Sequence, residues 1–166
     1  AQMINPRRQS LKYVLTDWLS LNLGWFLFTM VRYSSLPGHS VGDGGFVEHL
    51  TLEPVLQGQI IFPFMMVALY WLSGYYNVPY FKSRLDDILN TVFVSLCGSI
   101  IIFFVAMVND GFSERSTNIT LLLLAWLFLT VPVYISRSFI THAASKKIHS
   151  GEIAYNTLVV GTGRSA

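Results

Sequence analysis

The chain has 166 residues, of which 52% are hydrophobic and 12% charged, with a net charge of +2 and a mean hydropathy of +0.50. A soluble domain carries roughly a quarter charged residues, so this composition belongs to a membrane protein. The small net charge, with no basic run interleaved with aromatics, excludes a nucleic-acid surface, and the single cysteine, Cys97, excludes an intrachain disulfide. Cys97 lies in an apolar run and reads as a small packing residue.

Residues 1–10 form a polar tail with Arg7 and Arg8, and residues 11–33 supply a first span, enough for a helix across a layer of about 30 Å. No A-x-A-like site follows, so no cleavable leader is expected. Residues 34–54 are rich in Gly, Ser and Pro, carry Asp43, Glu48 and Glu53, and contain neither Lys nor Arg, the composition of a translocated loop. His39 and His49, with Asp43 and Glu48, lack the spacing of metal ligands. Residues 55–76 are the second span, with a bend expected at Pro63. Tyr70, Trp71, Tyr75, Tyr76 and Tyr80 crowd its end and read as an interfacial belt.

Residues 74–89, GYYNVPYFKSRLDDIL, form the hairpin loop around which the rest is oriented, because Lys82 and Arg84 mark its side of the membrane as cytosolic. Ser83 and Asp86 fit a capping box that starts a helix near Arg84, with Asp86 and Asp87 in its first turn. Paired carboxylates can also serve as acid and base or hold Mg²⁺, but adjacent helical residues point about 100° apart, which favours capping. The third span is 88–108, and the fourth, after a short outer turn, is 118–140, containing Pro132. Residues 141–155 continue as a helical extension with Lys146, Lys147 and His149, so both termini are expected in the cytosol. His142 and His149 read as solvated.

Asp17 is the sole acidic residue within an expected span, and such a group faces the bundle interior and finds a partner. Arg137, near the inner end of the fourth span, is one candidate; Asn90 and Ser95 are others. Ser20 with Gly24, and Ser95 with Ser99 around Gly98, are small-residue pairs that let helices approach closely, within one chain or between two copies in a homodimer.

Residues 156–166, NTLVVGTGRSA, change character: an apolar β-prone run leads into Gly161-Thr-Gly163-Arg-Ser-Ala166, a strand followed by G-x-G-x-x-A. This is the opening of a Rossmann-like α/β domain, expected to continue beyond Ala166. Gly161, Thr162, Gly163, Arg164 and Ser165 are the residues that would cradle a nucleotide or NAD(P), though the same turn persists in domains that bind nothing. The expected fold is thus an all-α four-helix transmembrane bundle with the first strand and turn of a truncated Rossmann-like domain.

Four spans with both ends inside, Leu72-Ser-Gly-Tyr-Tyr-Asn with Lys82-Ser-Arg-Leu between the second and third, and Asn156-Thr-Leu-Val-Val-Gly after the fourth resemble the N-terminal half of bacterial polyprenyl glycosylphosphotransferases. These are the priming sugar transferases of exopolysaccharide, capsule and O-antigen synthesis. The resemblance implies a protein of the bacterial inner membrane whose C-terminal domain, absent here, uses Mg²⁺ and an Asp-Glu pair to move sugar 1-phosphate from a UDP-sugar to undecaprenyl phosphate. It assigns no catalytic residue to this sequence, and implies anchoring, oligomerisation or regulation for the segment itself. Rival expectations are the anchor of an NAD(P)-dependent nucleotide-sugar dehydratase or epimerase, or a non-enzymatic four-span scaffold.

Overall fold

The computed structural model describes residues 6–35, 42, 44–77, 83–110 and 115–149. These form α1 (Pro6–Ser34), α2 (Gly45–Leu50), α3 (Glu53–Leu72), α4 (Arg84–Asp110) and α5 (Arg115–His149). All but α2 are long and apolar enough to cross a membrane. No strand occurs among the described residues; the expected strand and glycine turn at 156–166 lie outside them.

The four long helices run alternately up and down and close into a ring, each packing on its two chain neighbours, with α5 returning against α1. Asn22 of α1 faces Gln59 of α3, Gly98 of α4 faces Met66 of α3, Ser95 of α4 meets Thr130 of α5, and Gly24 of α1 lies against Phe128 of α5. Gly24, Ser95 and Gly98, among the small residues read from the sequence as helix contacts, therefore meet partners within this one chain.

The distribution of polarity is inverted relative to a protein made for water. Leu11, Leu15, Leu19 and Leu23 form an outward row on α1, and Ile60, Phe64, Phe93, Phe104, Leu123 and Phe139 continue the apolar exterior on the other helices. Asp17, Thr91, Ser95, Ser99 and Arg137 are fully buried. Such an exterior suits hydrocarbon, where helices satisfy their own backbone groups and polar side chains gather between them. The chain is built as a multi-pass membrane protein.

The structure departs from the sequence reading in particular places. The second span ends at Leu72, not Tyr76. Gly74 takes a left-handed conformation, φ 76°, and its N–H donates to Trp71 O at 3.0 Å while that of Tyr75 reaches Tyr70 O at 3.3 Å. This is the glycine-terminated cap that stops a helix and reverses the chain. The reversal carries Tyr75 and Tyr76 back into the bundle, where they and Tyr70 are buried, so these three do not form an interfacial belt. Trp71 does face outward, and Tyr80 is outside the described residues. Cys97 is exposed rather than packed, half a turn away from the inward row of Ser95 and Ser99. The connection between α1 and α3 contains α2, held by Phe46 against Tyr33 and Phe26, with ring centroids 5.4 and 6.1 Å apart.

The cap at Ser83 forms in part as expected. The Asp86 N–H donates to Ser83 Oγ at 3.0 Å, and the Ser83 hydroxyl in turn donates to the Asp86 carboxylate at 2.6 Å.

Candidate functional site

The chemistry-bearing residues gather at the end of the bundle that holds the start of α1, the 73–77 turn, the start of α4 and the end of α5. Asp17 lies eleven residues into α1, about 16 Å along its axis. Arg137 of α5 meets it there. Nε donates to both Asp17 oxygens at 3.0 Å and Nη2 donates to Oδ2 at 2.5 Å, with both side chains fully buried. Arg137 Nη1 donates to Thr91 Oγ1 of α4 at 2.9 Å, and the Thr91 hydroxyl in turn donates to the Asp87 backbone carbonyl at 2.6 Å. The Tyr76 hydroxyl donates to Asp17 Oδ2 at 2.8 Å.

Two aromatic rings also lie against the guanidinium. Its carbon stands 3.9 Å from the centre of the Tyr70 ring and 3.6 Å from that of Tyr75, two rings inclined at 60° to each other, so the cation has two cation–π contacts, together worth about 2 kcal/mol or more once desolvated. A guanidinium can meet both rings through its carbon while its edge makes these several hydrogen bonds, which a single ammonium cannot, so arginine and not lysine suits the position. Burial pushes the hydroxyls of Tyr75 and Tyr76 upward in pKa, so both stay protonated and act as donors.

A second buried carboxylate lies beside this pair. Asp87, 3% exposed, accepts from the Tyr75 hydroxyl at 2.9 Å and from Thr141 Oγ1 of α5 at 2.8 Å. Because the Thr141 proton goes to Asp87, the Tyr13 hydroxyl is the donor in its 2.9 Å contact with Thr141. Ser10 of α1 donates to Tyr76 O at 2.7 Å and pins the turn. Every spanning helix and the reversal at Gly74 thus meet in one network. The Asp17–Arg137 pair at its centre is satisfied and closed to solvent, an arrangement that fixes helices in register, while Asp87 and Thr141 also line a groove that opens beside it.

Asp17 and Arg137 are brought together, while the other partners considered for Asp17 are engaged elsewhere: Asn90 pairs with Ser73 and Ser95 with Thr130. Asp87 is not an exposed first-turn carboxylate like Asp86; the two point to different faces, and only Asp87 turns inward. Its inward position is readable in hindsight, since Asp87, Thr91, Ser95 and Ser99 recur every four residues along α4 and form a polar stripe on one face of an apolar helix. Tyr13, Tyr75, Tyr76 and Thr141 carried no such signal before the turn at Gly74 was known to fold inward.

No cluster of His, Cys, Asp and Glu able to hold a metal occurs among the described residues; His49 packs on the Tyr33 ring at 4.9 Å, and His39 and Asp43 lie outside those residues. Gly161, Thr162, Gly163, Arg164 and Ser165 also lie outside them. No family model, curated protein or solved structure matches this chain.

Proposed function

We propose that the chain is the membrane anchor of an enzyme that transfers sugar 1-phosphate from a UDP-sugar to undecaprenyl phosphate. The observation that carries this reading is the role of the turn on which the resemblance rests. Gly74 reverses the chain so that Tyr75 and Tyr76 close the buried network, which gives that stretch of sequence a structural purpose beyond joining two spans. The same end of the bundle presents Arg7, Arg8, Lys12 and Lys146 on its surface, the bias that holds an end in the cytosol. A soluble catalytic region joined through α5 then works where UDP-sugars are found, with its lipid acceptor held in the adjacent leaflet. The anchor contributes position: α5 is locked to α1 by the Asp17–Arg137 pair, so the attached region leaves the membrane at a fixed place.

In this reading the full gene product releases UMP from UDP-sugar only when undecaprenyl phosphate and Mg²⁺ are supplied, and residues 1–166 alone release none. UMP release by the 1–166 segment, or NAD(P)-dependent dehydration of the sugar without UMP release, overturns it. The orientation has its own test. In a Cys97→Ser background, Gly44→Cys should react with an impermeant thiol reagent from outside sealed spheroplasts, and Ser83→Cys only after they are opened. Labelling of both from outside contradicts the cytosolic placement.

A further inference from the structure

One face of α1 carries both a charge and an apolar row. Leu11, Leu15, Leu19 and Leu23 recur every fourth residue and are each more than half exposed, so the row is left open by the helices packed on either side. Basic side chains head it. Arg7 stands one turn before Leu11 and Lys12 one turn before Leu15, and both are exposed. Arg8 lies between them and has an interaction of its own within the chain. From Lys12, the leucines at 15, 19 and 23 lie roughly 4 to 17 Å further along the axis, about the depth of one leaflet of a ~30 Å hydrocarbon layer.

The positive charge at this end has no acidic counterpart on the neighbouring helices. Among the described residues, α1 carries no Asp or Glu before Asp17, which is buried on Arg137. No acid occurs in α5, and the sole acid of α3, Glu53, is at the opposite end of the bundle. Asp86 begins α4, across the ring from α1, and is engaged by the Ser83 hydroxyl. Lys146, exposed on α5, adds charge of the same sign. A lysine in this position lays its stem on hydrocarbon and turns its ammonium to the headgroup level.

Lipid and a second copy of the chain compete for such a face, and charge separates them. Two copies crossing the membrane in the same sense pair in parallel, so a twofold axis along the membrane normal sets Lys12 against Lys12. Leucines also keep helix backbones apart and gain nothing over lipid tails, where small residues permit close approach. A zwitterionic headgroup brings no net charge to the two cations, whereas an anionic one does.

We propose that the row binds an anionic phospholipid, its phosphate on Lys12 and Arg7 and an acyl chain along Leu15, Leu19 and Leu23. The site is independent of the transferase reading. The lipid sets the depth of α1, the helix that carries Asp17, in the leaflet.

The test places the 166-residue chain in phosphatidylcholine nanodiscs doped with a trace of phosphatidylglycerol bearing a photoreactive diazirine in one acyl chain or, separately, with phosphatidylcholine bearing the same chain. After irradiation, mass spectrometry of the digested chain locates the adducts. On Leu15, Leu19 and Leu23 the phosphatidylglycerol probe should exceed the phosphatidylcholine probe by at least about fivefold, the factor that one basic side chain near an anionic headgroup supplies. The two probes should label Phe93 and Phe104 on α4 equally. Arg7→Gln combined with Lys12→Gln should bring the ratio on α1 close to one, and Arg7→Lys combined with Lys12→Arg should keep it; all four changes are at exposed positions and leave the bundle interior untouched. Equal labelling of the row by both probes, an excess spread evenly over all four helices, an excess that survives the glutamine pair, or a row shielded from both probes in a dimer each overturns the proposal.

Discussion

Replacing Arg137 with leucine is expected to cost the bundle about 3–5 kcal/mol, the range seen when one partner of a buried ion pair is removed. The loss has several parts. Asp17, fully buried, keeps a single neutral donor, the Tyr76 hydroxyl, and its charge is left at membrane depth. Thr91 loses its donor, and the Tyr70 and Tyr75 rings lose the cation packed against both. Arg137→Lys should recover little of this, because one ammonium cannot bridge both oxygens of Asp17, reach Thr91 and contact two rings at once. Equilibrium unfolding in mixed micelles, followed by far-UV circular dichroism as denaturing detergent is raised, gives the comparison; native-like stability of Arg137→Leu would show that the pair holds nothing together.

Gly24 should be the least tolerant small residue among the described residues. A Cβ there collides with the Phe128 carbonyl oxygen of α5, which is helix backbone and can yield only if α1 and α5 move apart. Gly98 is as crowded on paper, but its neighbour is the Met66 sulfur, the end of an unbranched side chain that can turn aside. Overpacking costs about 1–3 kcal/mol where the surroundings cannot relax, so Gly24→Val should sit at or above the top of that range and Gly98→Ala near or below its foot. The damage from Gly24→Val should also reach the buried network, because Asp17 lies two turns away on the same face of α1 and faces the same helix. The same unfolding titration reads both variants, and equal losses at the two glycines would mean that the α1–α5 contact is looser than its geometry shows.

The bundle itself was legible because hydrocarbon imposes a coarse requirement, about twenty apolar residues per crossing, that the four runs meet plainly. Helix ends were less so. Gly74 is an ordinary helix-stop signal, yet the aromatic residues after it resemble the ring belt found at membrane boundaries, and nothing in a linear pattern distinguishes tyrosines that stay at the boundary from tyrosines that fold back. Their burial follows from the tertiary position of Arg137, whose faces they cover. Asp17 pointed inward by its chemistry alone, since an acid in an apolar run must find a partner, and Arg137 lies at the matching depth on α5. Asp87 was hidden by its neighbour: Asp86 satisfies the helix start, and a cap explains both carboxylates until the four-residue polar stripe running from Asp87 to Ser99 is taken into account.

The measurement that bears most directly on the buried pair as the pin of this fold is a double-mutant cycle of Asp17→Leu and Arg137→Leu. If the two side chains act as one ionic tie, each single change strands a charge and is severe, while the double change removes both charges into an apolar setting and is no worse than either single, a coupling of about 2 kcal/mol or more. A double variant whose loss equals the sum of the two singles would contradict it, because the residues would then be contributing separately.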